Sequence, residues 1–373
     1  MPRQPTPVQL AGPLAVLVDE HPLDAYLAIA ALRPPSTILL YGPGRASEAE
    51  RLARVAGERL GVRMELRAMD DDTSAVVARR TYTALPDDVH LHHTGGDGSM
   101  AADLLAAHAG LDRPIDAASV LDEERRLLRL GDGVDLPLAA LVDPSAVTID
   151  VLLDLNGFVR VTDAHAARVL EQGQSIVRSA EPWPWADTAR LAGHGRSAID
   201  HLRTHLDRFR PSSGPLADEG SWYAFRNGTF VEVLLAEFVR ACAPSHEVEV
   251  GLQLEHGAGM RLELDVMAVG RYRPYVFSCM AGDTTDTAKK KAFEVVVRAR
   301  QVGGLTVRPA LVSALSAEDA ERVSAMATVD AADPSGSVRI LGIEDLVALG
   351  LDDNPSSRRR LLGLEDPPLP GDS

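Results

Sequence analysis

The chain has 373 residues, 45% of them hydrophobic and 25% charged, with a formal net charge of -16. The length fits two domains of ordinary size, and the composition excludes a disordered chain, a collagen or a coiled-coil rod. The charge excludes a protein whose main task is to coat nucleic acid, because phosphate neutralisation supplies most non-specific affinity.

The first 110 residues alternate. Leu14–Val18 reads as a short buried strand and Pro22–Leu32 as a helix. Thr37–Tyr41, Arg63–Arg67 and Val89–His93 read as three more strands. Ala46–Leu60, Thr73–Leu85 and Asp97–Ala109 read as helices. Short apolar strands alternating with helices predict βαβ units and a parallel sheet with helices on both faces. Ligands on such sheets bind outside the C-terminal strand ends. Leu111–Leu130 is charged and reads as partly helical, and Ala139–Val159 as mixed helix and strand. Arg178–Asp187, with its EPWPW run, reads as a connector, followed by one amphipathic helix over Thr188–Arg210 and a breaker at PSSGP.

From Gly220 the pattern changes. A helix is predicted over Phe225–Ala243, then strands over Glu247–Glu255, Arg261–Val269 and Tyr275–Cys279. A helix over Thr287–Gln301 closes on Gly303–Gly304. Thr306–Ser313 reads as a strand, Ala317–Ala327 as a helix, Val338–Leu341 as a strand and Ile343–Leu349 as a last helix. The tail from Asp352 reads as loose. The expected class is α/β, divided into a domain over 10–145, a partly helical connector over 146–215, a domain over 216–350 and a tail over 351–373. The most apolar stretch, Leu136–Leu155, is broken by Asp143, Pro144, Asp150 and Asp154, so no membrane span is predicted. The N-terminus lacks a secretory signal layout, and Cys242 and Cys279 give no disulfide framework. A cytoplasmic location is expected.

Thirty-five of the 38 basic residues are arginine; the three lysines are consecutive, Lys289, Lys290 and Lys291. Lysine is a compact ammonium with a tunable pKa, and arginine is not. A chain that avoids lysine yet keeps three together suggests chemistry that arginine cannot do. The run opens a helix that also carries Glu294, and an i, i+3 pair such as Lys291 and Glu294 shares a helix face. Glu232 on its helix, Asp265 on its strand and Ser278-Cys279-Met280 on the next strand complete the constellation. Asp265 falls on the same strand face as Glu263, and a buried carboxylate there needs a partner. Carboxylates and a main-chain carbonyl make a hard-oxygen site suited to Mg²⁺ or Mn²⁺. Such a metal polarises a phosphodiester, and a lysine beside it stabilises growing phosphate charge.

In the first half, the strand Val89–His93 leads into Thr94, Gly95, Gly96, Asp97, Gly98, Ser99 and Met100 before a helix. Glycines there let backbone amides approach a phosphate or nucleotide edge. His90 and His92 alternate with Leu91 while His93 points to the other face, so the three histidines do not read as a metal triad. A second polar loop, Asp19-Glu20-His21-Pro22-Leu23, follows the first strand.

These last features resemble the CRISPR-associated Rossmann-fold (CARF) sensor domain, whose usual loop is Thr-Gly-Gly-Thr-Lys-x-Met. Thr94, Gly95, Gly96 and Met100 match; Asp97 and Gly98 depart. The second half resembles the PD-(D/E)xK nuclease superfamily and its restriction-endonuclease-like fold, with Ser278-Cys279-Met280 standing where (D/E)-x-K is usual. The resemblance implies that Cys279 lends its carbonyl to the metal alongside Asp265 and a second carboxylate, Glu232 or Glu294. It further implies that Ser278 holds a metal-bound water and that Lys289 or Lys291, with Glu294, acts from the following helix. Together the two halves resemble stand-alone type III CRISPR ancillary nucleases. That implies a homodimer that binds cyclic oligoadenylate through Asp19, Glu20, His21 and Thr94 to Met100, then cuts DNA or RNA with Mg²⁺ or Mn²⁺. The alternatives are a ligand-responsive regulatory protein with a degenerate nuclease fold, for which Ser278 and Met280 argue, and an enzyme acting on a nucleotide at the Thr94–Met100 loop.

Overall fold

The computed structural model describes residues 8–69, 75–95, 98–111, 113–114, 117–122, 126–257, 259–330 and 338–364. Two compact units divide the chain, one ending at Phe158 and the other beginning at Val159.

In the first unit the elements run β1 (Leu14–Val18), α1 (Leu23–Leu32), β2 (Ser36–Tyr41), α2 (Ala46–Leu60), β3 (Arg63–Ala68), α3 (Ala75–Thr83), β4 (His90–His92) and α4 (Gly98–Ala109). Then come β5 (Ala118–Asp122), β6 (Leu127–Leu130), β7 (Asp135–Pro137), α5 (Leu138–Leu141) and α6 (Ile149–Asn156). The sheet order is β3-β2-β1-β4-β5-β6-β7. Its first five strands are parallel and its last two antiparallel. The order in which strands are laid down reverses between β1 and β4, which are parallel neighbours. A doubly wound sheet opens its crevice at that switch point.

Strand alternation fixes the layers. Ala15, Leu17, Ile38, Leu40 and Leu91 pack with Tyr82, Met100 and Leu104 of α3 and α4. The opposite face belongs to α1 and α2, with α5 against α1 and α6 against α2. Helix α1 (LDAYLAIAAL) is buried at every position, as a helix covered on both sides must be.

The second unit runs β8 (Phe158–Arg160), α7 (Ala164–Ser179), α8 (Trp185–Leu191), α9 (Gly195–Leu206), α10 (Glu219–Ala224), a π-helical turn (Phe225–Thr229) and α11 (Phe230–Cys242). It continues with β9 (Glu247–His256), β10 (Met260–Gly270), β11 (Arg273–Met280), α12 (Thr285–Gly303), β12 (Arg308–Ser313), α13 (Ala317–Asp330), β13 (Arg339–Leu341), α14 (Ile343–Leu351) and α15 (Pro355–Leu362). The sheet order is β13-β12-β11-β10-β9-β8. Val266, Ala268, Tyr275 and Phe277 point into one core with α7–α11 and α14. By alternation their neighbours face α12, which packs on β11 and β12 from the other side.

Four expectations are corrected. Residues 111–130 hold strands where helix was expected: Ala118, Leu121, Leu127 and Leu128 are buried, and the antiparallel pairing of β5 with β6 overrides the local charge pattern. The EPWPW connector is core, with Trp183 and Trp185 4% and 6% exposed, and 146–215 divides between the two units. The helix expected over 188–210 is two helices. A Cβ at Gly195 would lie 1.9 Å from the Ala314 carbonyl oxygen, so α9 begins at a close approach that needs glycine. The tail expected to be loose carries α15, started by Asn354 bonding the Ser356 N–H, with Pro355 next, and stopped at Gly363 in the left-handed region.

Candidate functional sites

The first candidate site is the crevice between the C-terminal ends of β1 and β4. Asp19 turns the chain after β1 by accepting the His21 N–H at 2.8 Å. Gly95 sits at φ +91°, and a Cβ there would come within 3.3 Å of Asp19 Oδ2 and of the Leu17 carbonyl. The two loops foreseen as ligand loops therefore meet, and glycine lets them touch. Thr94 Oγ1 accepts the Leu121 N–H at 2.5 Å and ties the second loop to β5. A Cβ on Gly42, after β2, would lie 3.3 Å from Met100 Cε, which brings a third loop in. Ser99 is exposed at the start of α4. Gly96 and Asp97 lie outside the described residues, and of Gly98 only the backbone is described, opening α4.

That third loop supplies a residue that motif reading missed. Arg45 pairs with Glu20 at 3.1 Å and lies 3.7 Å from Glu48. It places a guanidinium at the crevice on a chain whose loop has glycine where the resembling motif has lysine. No spacing in the sequence announced it, because it comes from a different strand end.

Beneath the crevice, His90 Nε2 and His92 Nδ1 both contact Ser119 Oγ, at 2.9 and 3.0 Å. His92 is fully buried. Burial, then the neighbouring His93 and His90, push its pKa down to about 3. His92 is thus a neutral support of the sheet.

The second candidate site lies where β10 and β11 separate. Their antiparallel ladder runs from Gly270↔Arg273 to Val266↔Phe277 and stops. On the other side of β10, pairing with β9 skips one position between Leu264↔Leu252 and Val266↔Val250. Asp265 and Gly251 occupy that gap, and Gly251 has φ +62°. Asp265 is thus released from both ladders. Its Oδ2 accepts Ser278 Oγ at 2.9 Å and the Cys279 N–H at 2.6 Å. The partner expected for a buried carboxylate is therefore the next strand itself.

Asp265, Ser278, Glu263, Glu294 and Arg298 line one small cavity. Lys291 Nζ lies 3.2 Å from Glu294 Oε2, so the pair does share a helix face. Arg298 takes the other oxygen of Glu294 and donates to the Glu263 carbonyl at 2.8 Å. Arg298 is a second residue that sequence reading missed; its i, i+4 spacing from Glu294 was the available signal. Lys290 is exposed and Lys289 half-buried.

Glu232 reaches this region from the opposite face of the sheet. A π-helical turn precedes α11, and Arg203 braces it by donating to the carbonyls of Arg226 and Asn227, both at 3.3 Å. Such turns often sit at functional sites. Burial, then Asp265 and Glu263, raise the Glu232 pKa to about 8, with Lys291 opposing. The Cys279 thiol is pushed well up by burial and by the Asp265 and Glu232 carboxylates. Glu232 and the Cys279 thiol thus both feel the charges of Asp265 and Lys291.

Among the described residues, no three His, Cys, Asp or Glu side chains gather closely enough to form a ready-made metal cage. The oxygens expected from the sequence are the Asp265 and Glu232 carboxylates and the Cys279 carbonyl. Mg²⁺ commonly takes one or two carboxylates, keeping waters and substrate phosphate for the rest. Burial is the larger cause of the raised Glu232 pKa, and the nearby Asp265 and Glu263 carboxylates add to it. The residues therefore fit a hard divalent cation.

No family model matches the chain, and no curated protein matches it in sequence. Solved structures do. The crystal structure of protein VC1899 from Vibrio cholerae matches with a TM-score of 0.66 at 15% identity, over 95% of this chain and 99% of that one. Can2 from Sulfobacillus thermosulfidooxidans, solved in complex with cyclic tetra-adenylate, matches with 0.64 at 16% identity, over 95% and 97%. A type III CRISPR defence DNA nuclease activated by cyclic oligoadenylate matches with 0.53 at 19% identity, over 84% of this chain and 47% of that one. At these identities the likeness establishes a shared α/β fold. Among the described residues, no helix is long and apolar enough to cross a membrane.

Proposed function

We propose that this chain is a cyclic-oligoadenylate-activated, metal-dependent nuclease of type III CRISPR defence, working as a homodimer in the cytoplasm. The observation that carries the reading is a pairing. The chain shares its fold along 95% of its length with a protein solved with cyclic tetra-adenylate. Its own residues build a switch-point crevice in one unit and an acidic strand fork in the other. A symmetric ring ligand favours a symmetric dimer.

The crevice suits the ring's phosphates: Thr94 and Gly95 bring main-chain groups beside Asp19, and Arg45 offers a charged fork. Ring binding activates only if the ring interacts differently with the resting and active states. In the fork, Asp265, Glu232 and the Cys279 carbonyl would hold Mg²⁺ or Mn²⁺. A bound divalent cation polarises the scissile phosphate and acidifies its water. Lys291, oriented by Glu294, places positive charge where the phosphate gains negative charge. Lys289, on the same helix turn, is the other ammonium within the run. The substrate is DNA or RNA.

The test separates the halves. Asp265→Asn should retain binding of cyclic tetra- or hexa-adenylate and lose cleavage of plasmid and single-stranded RNA. Loss of ring binding in that variant, or retention of cleavage, contradicts the assignment.

One observation favours a second reading, a regulatory protein with an inactive fork. Asp265 is already bonded to Ser278 and Cys279 and closes the strand fork without a metal. Mn²⁺ discriminates. A melting temperature raised by Mn²⁺ in the wild type and not in Asp265→Ala supports the nuclease; an equal response in both supports the regulator.

A further inference from the structure

Asp265 uses its two oxygens unequally. Oδ2 accepts two hydrogen bonds, from Ser278 and from the Cys279 main chain. A carboxylate oxygen has two lone-pair sites, so Oδ2 is filled. Oδ1 makes no hydrogen bond among the described residues. Turning the carboxylate would break both bonds at once, so the direction of Oδ1 is fixed.

The Cys279 N–H has a structural reason to be there: where the ladder with β10 ends, the Asp265 carboxylate replaces the missing strand carbonyl. Ser278 adds to the same oxygen a second bond, made by a side chain. It is 8% exposed, and Val276, Phe277 and Val295 line the same cavity. A hydroxyl in such a place is costly unless bonded, and its partner here is Asp265 Oδ2.

We propose that Ser278 is a positioning residue whose hydroxyl holds the Asp265 carboxylate so that Oδ1 alone faces a divalent cation. Asp265 is then a one-oxygen ligand of fixed direction. This rests on the metal-dependent reading above and assigns to Ser278 the orientation of the ligand, in place of holding a water. Partners that orient a ligand in this way typically change metal affinity 10–100-fold when lost.

The experiment is an equilibrium titration of the full-length protein with Mn²⁺ alone, read from the electron paramagnetic resonance of the free ion. No ring nucleotide, no nucleic acid and no activity measurement enters. Ser278→Ala should bind Mn²⁺ about tenfold more weakly than the wild type. Ser278→Thr, which keeps the hydroxyl, should restore most of the affinity, and Asp265→Asn should abolish it. Thermal melts without metal establish that each variant folds. Wild-type affinity in Ser278→Ala, with binding lost in Asp265→Asn, overturns the role of Ser278 and leaves the nuclease reading standing. Equal weakening in Ser278→Ala and Ser278→Thr assigns the effect to packing and also overturns it. Wild type and Asp265→Asn binding equally, or neither binding, overturns both readings.

Discussion

The crevice of the first unit and the fork of the second are built on opposite principles. Topology makes the crevice. β1 and β4 are parallel neighbours whose connections leave in opposite directions, so their loops must splay and leave room between them. The polar groups there are largely satisfied: Asp19 bonds the His21 N–H, Thr94 bonds the Leu121 N–H and Arg45 pairs with Glu20. The fork is made by an interrupted ladder. Gly251 and Asp265 leave the register together, and carboxylates from two faces of the sheet come within reach of one another's charge. There Glu232 has its pKa raised, first by burial and then by Asp265 and Glu263. A perturbed group in a cavity is a candidate for a chemical site.

That contrast orders the ways to break it. The largest effect belongs to the fork. Asp265→Asn should lower cleavage by at least about 100-fold, the loss expected when a transition-state charge partner goes. It should also lower the melting temperature, because Asp265 closes the strands. Lys291→Ala should cost about 10–100-fold in the same assay, with Lys291→Arg also impaired. Lys290→Ala, on the exposed side of α12, should leave cleavage unchanged. If Lys291→Arg, Lys289→Arg and Lys290→Arg, singly and combined, all cleave normally, the lysine argument fails.

The crevice should respond more gently. Arg45→Ala should weaken ring binding by roughly 10-fold, the scale of one charge-assisted hydrogen bond, with metal binding in the fork untouched. Gly95→Ala forces a Cβ onto a positive φ and toward Asp19. It should cost about 1–2 kcal/mol of stability and weaken ring binding by isothermal titration.

Two pH experiments sharpen the same contrast. The native state holds a proton on Glu232 up to a pKa of about 8, well above the ordinary carboxylate value. The folded protein therefore binds more protons than the unfolded chain over that window, and stability falls as pH rises through it. Melting curves should show Glu232→Gln gaining on the wild type from pH 5 to pH 8, with no further gain above. His92 behaves in the opposite sense: its pKa drops to about 3 in the folded state. Stability should fall on acidification below about pH 6.5, and His92→Gln should blunt that fall. Parallel curves for either pair would contradict the burial assigned to that group.

Legibility in the sequence follows the same division. The alternating βαβ pattern through Ala109 was readable because buried parallel strands and their helices differ in both length and composition. The convergence of Asp19 with Gly95 was readable too, because the topology requires it. Strands β5 and β6 were not, since they are short and are held by pairing with strands on both sides. The tryptophans at 183 and 185 read as punctuation because prolines surround them, yet they anchor the second core. In the fork, Asp265 and the Lys291–Glu294 pair were legible from strand alternation and helix spacing. The release of Asp265 by Gly251, the brace of Arg298 and the entry of Glu232 after a π turn were not. Each depends on register between elements distant in sequence.

The central claim, that ring binding in one unit turns on cleavage in the other, is tested most directly by one reaction. The protein is mixed with supercoiled plasmid and single-stranded RNA in Mn²⁺, with and without cyclic tetra-adenylate or cyclic hexa-adenylate. Cleavage that requires one of the rings and disappears in Asp265→Asn is the predicted result. Cleavage that ignores both rings, or no cleavage while a ring binds tightly, would contradict the account.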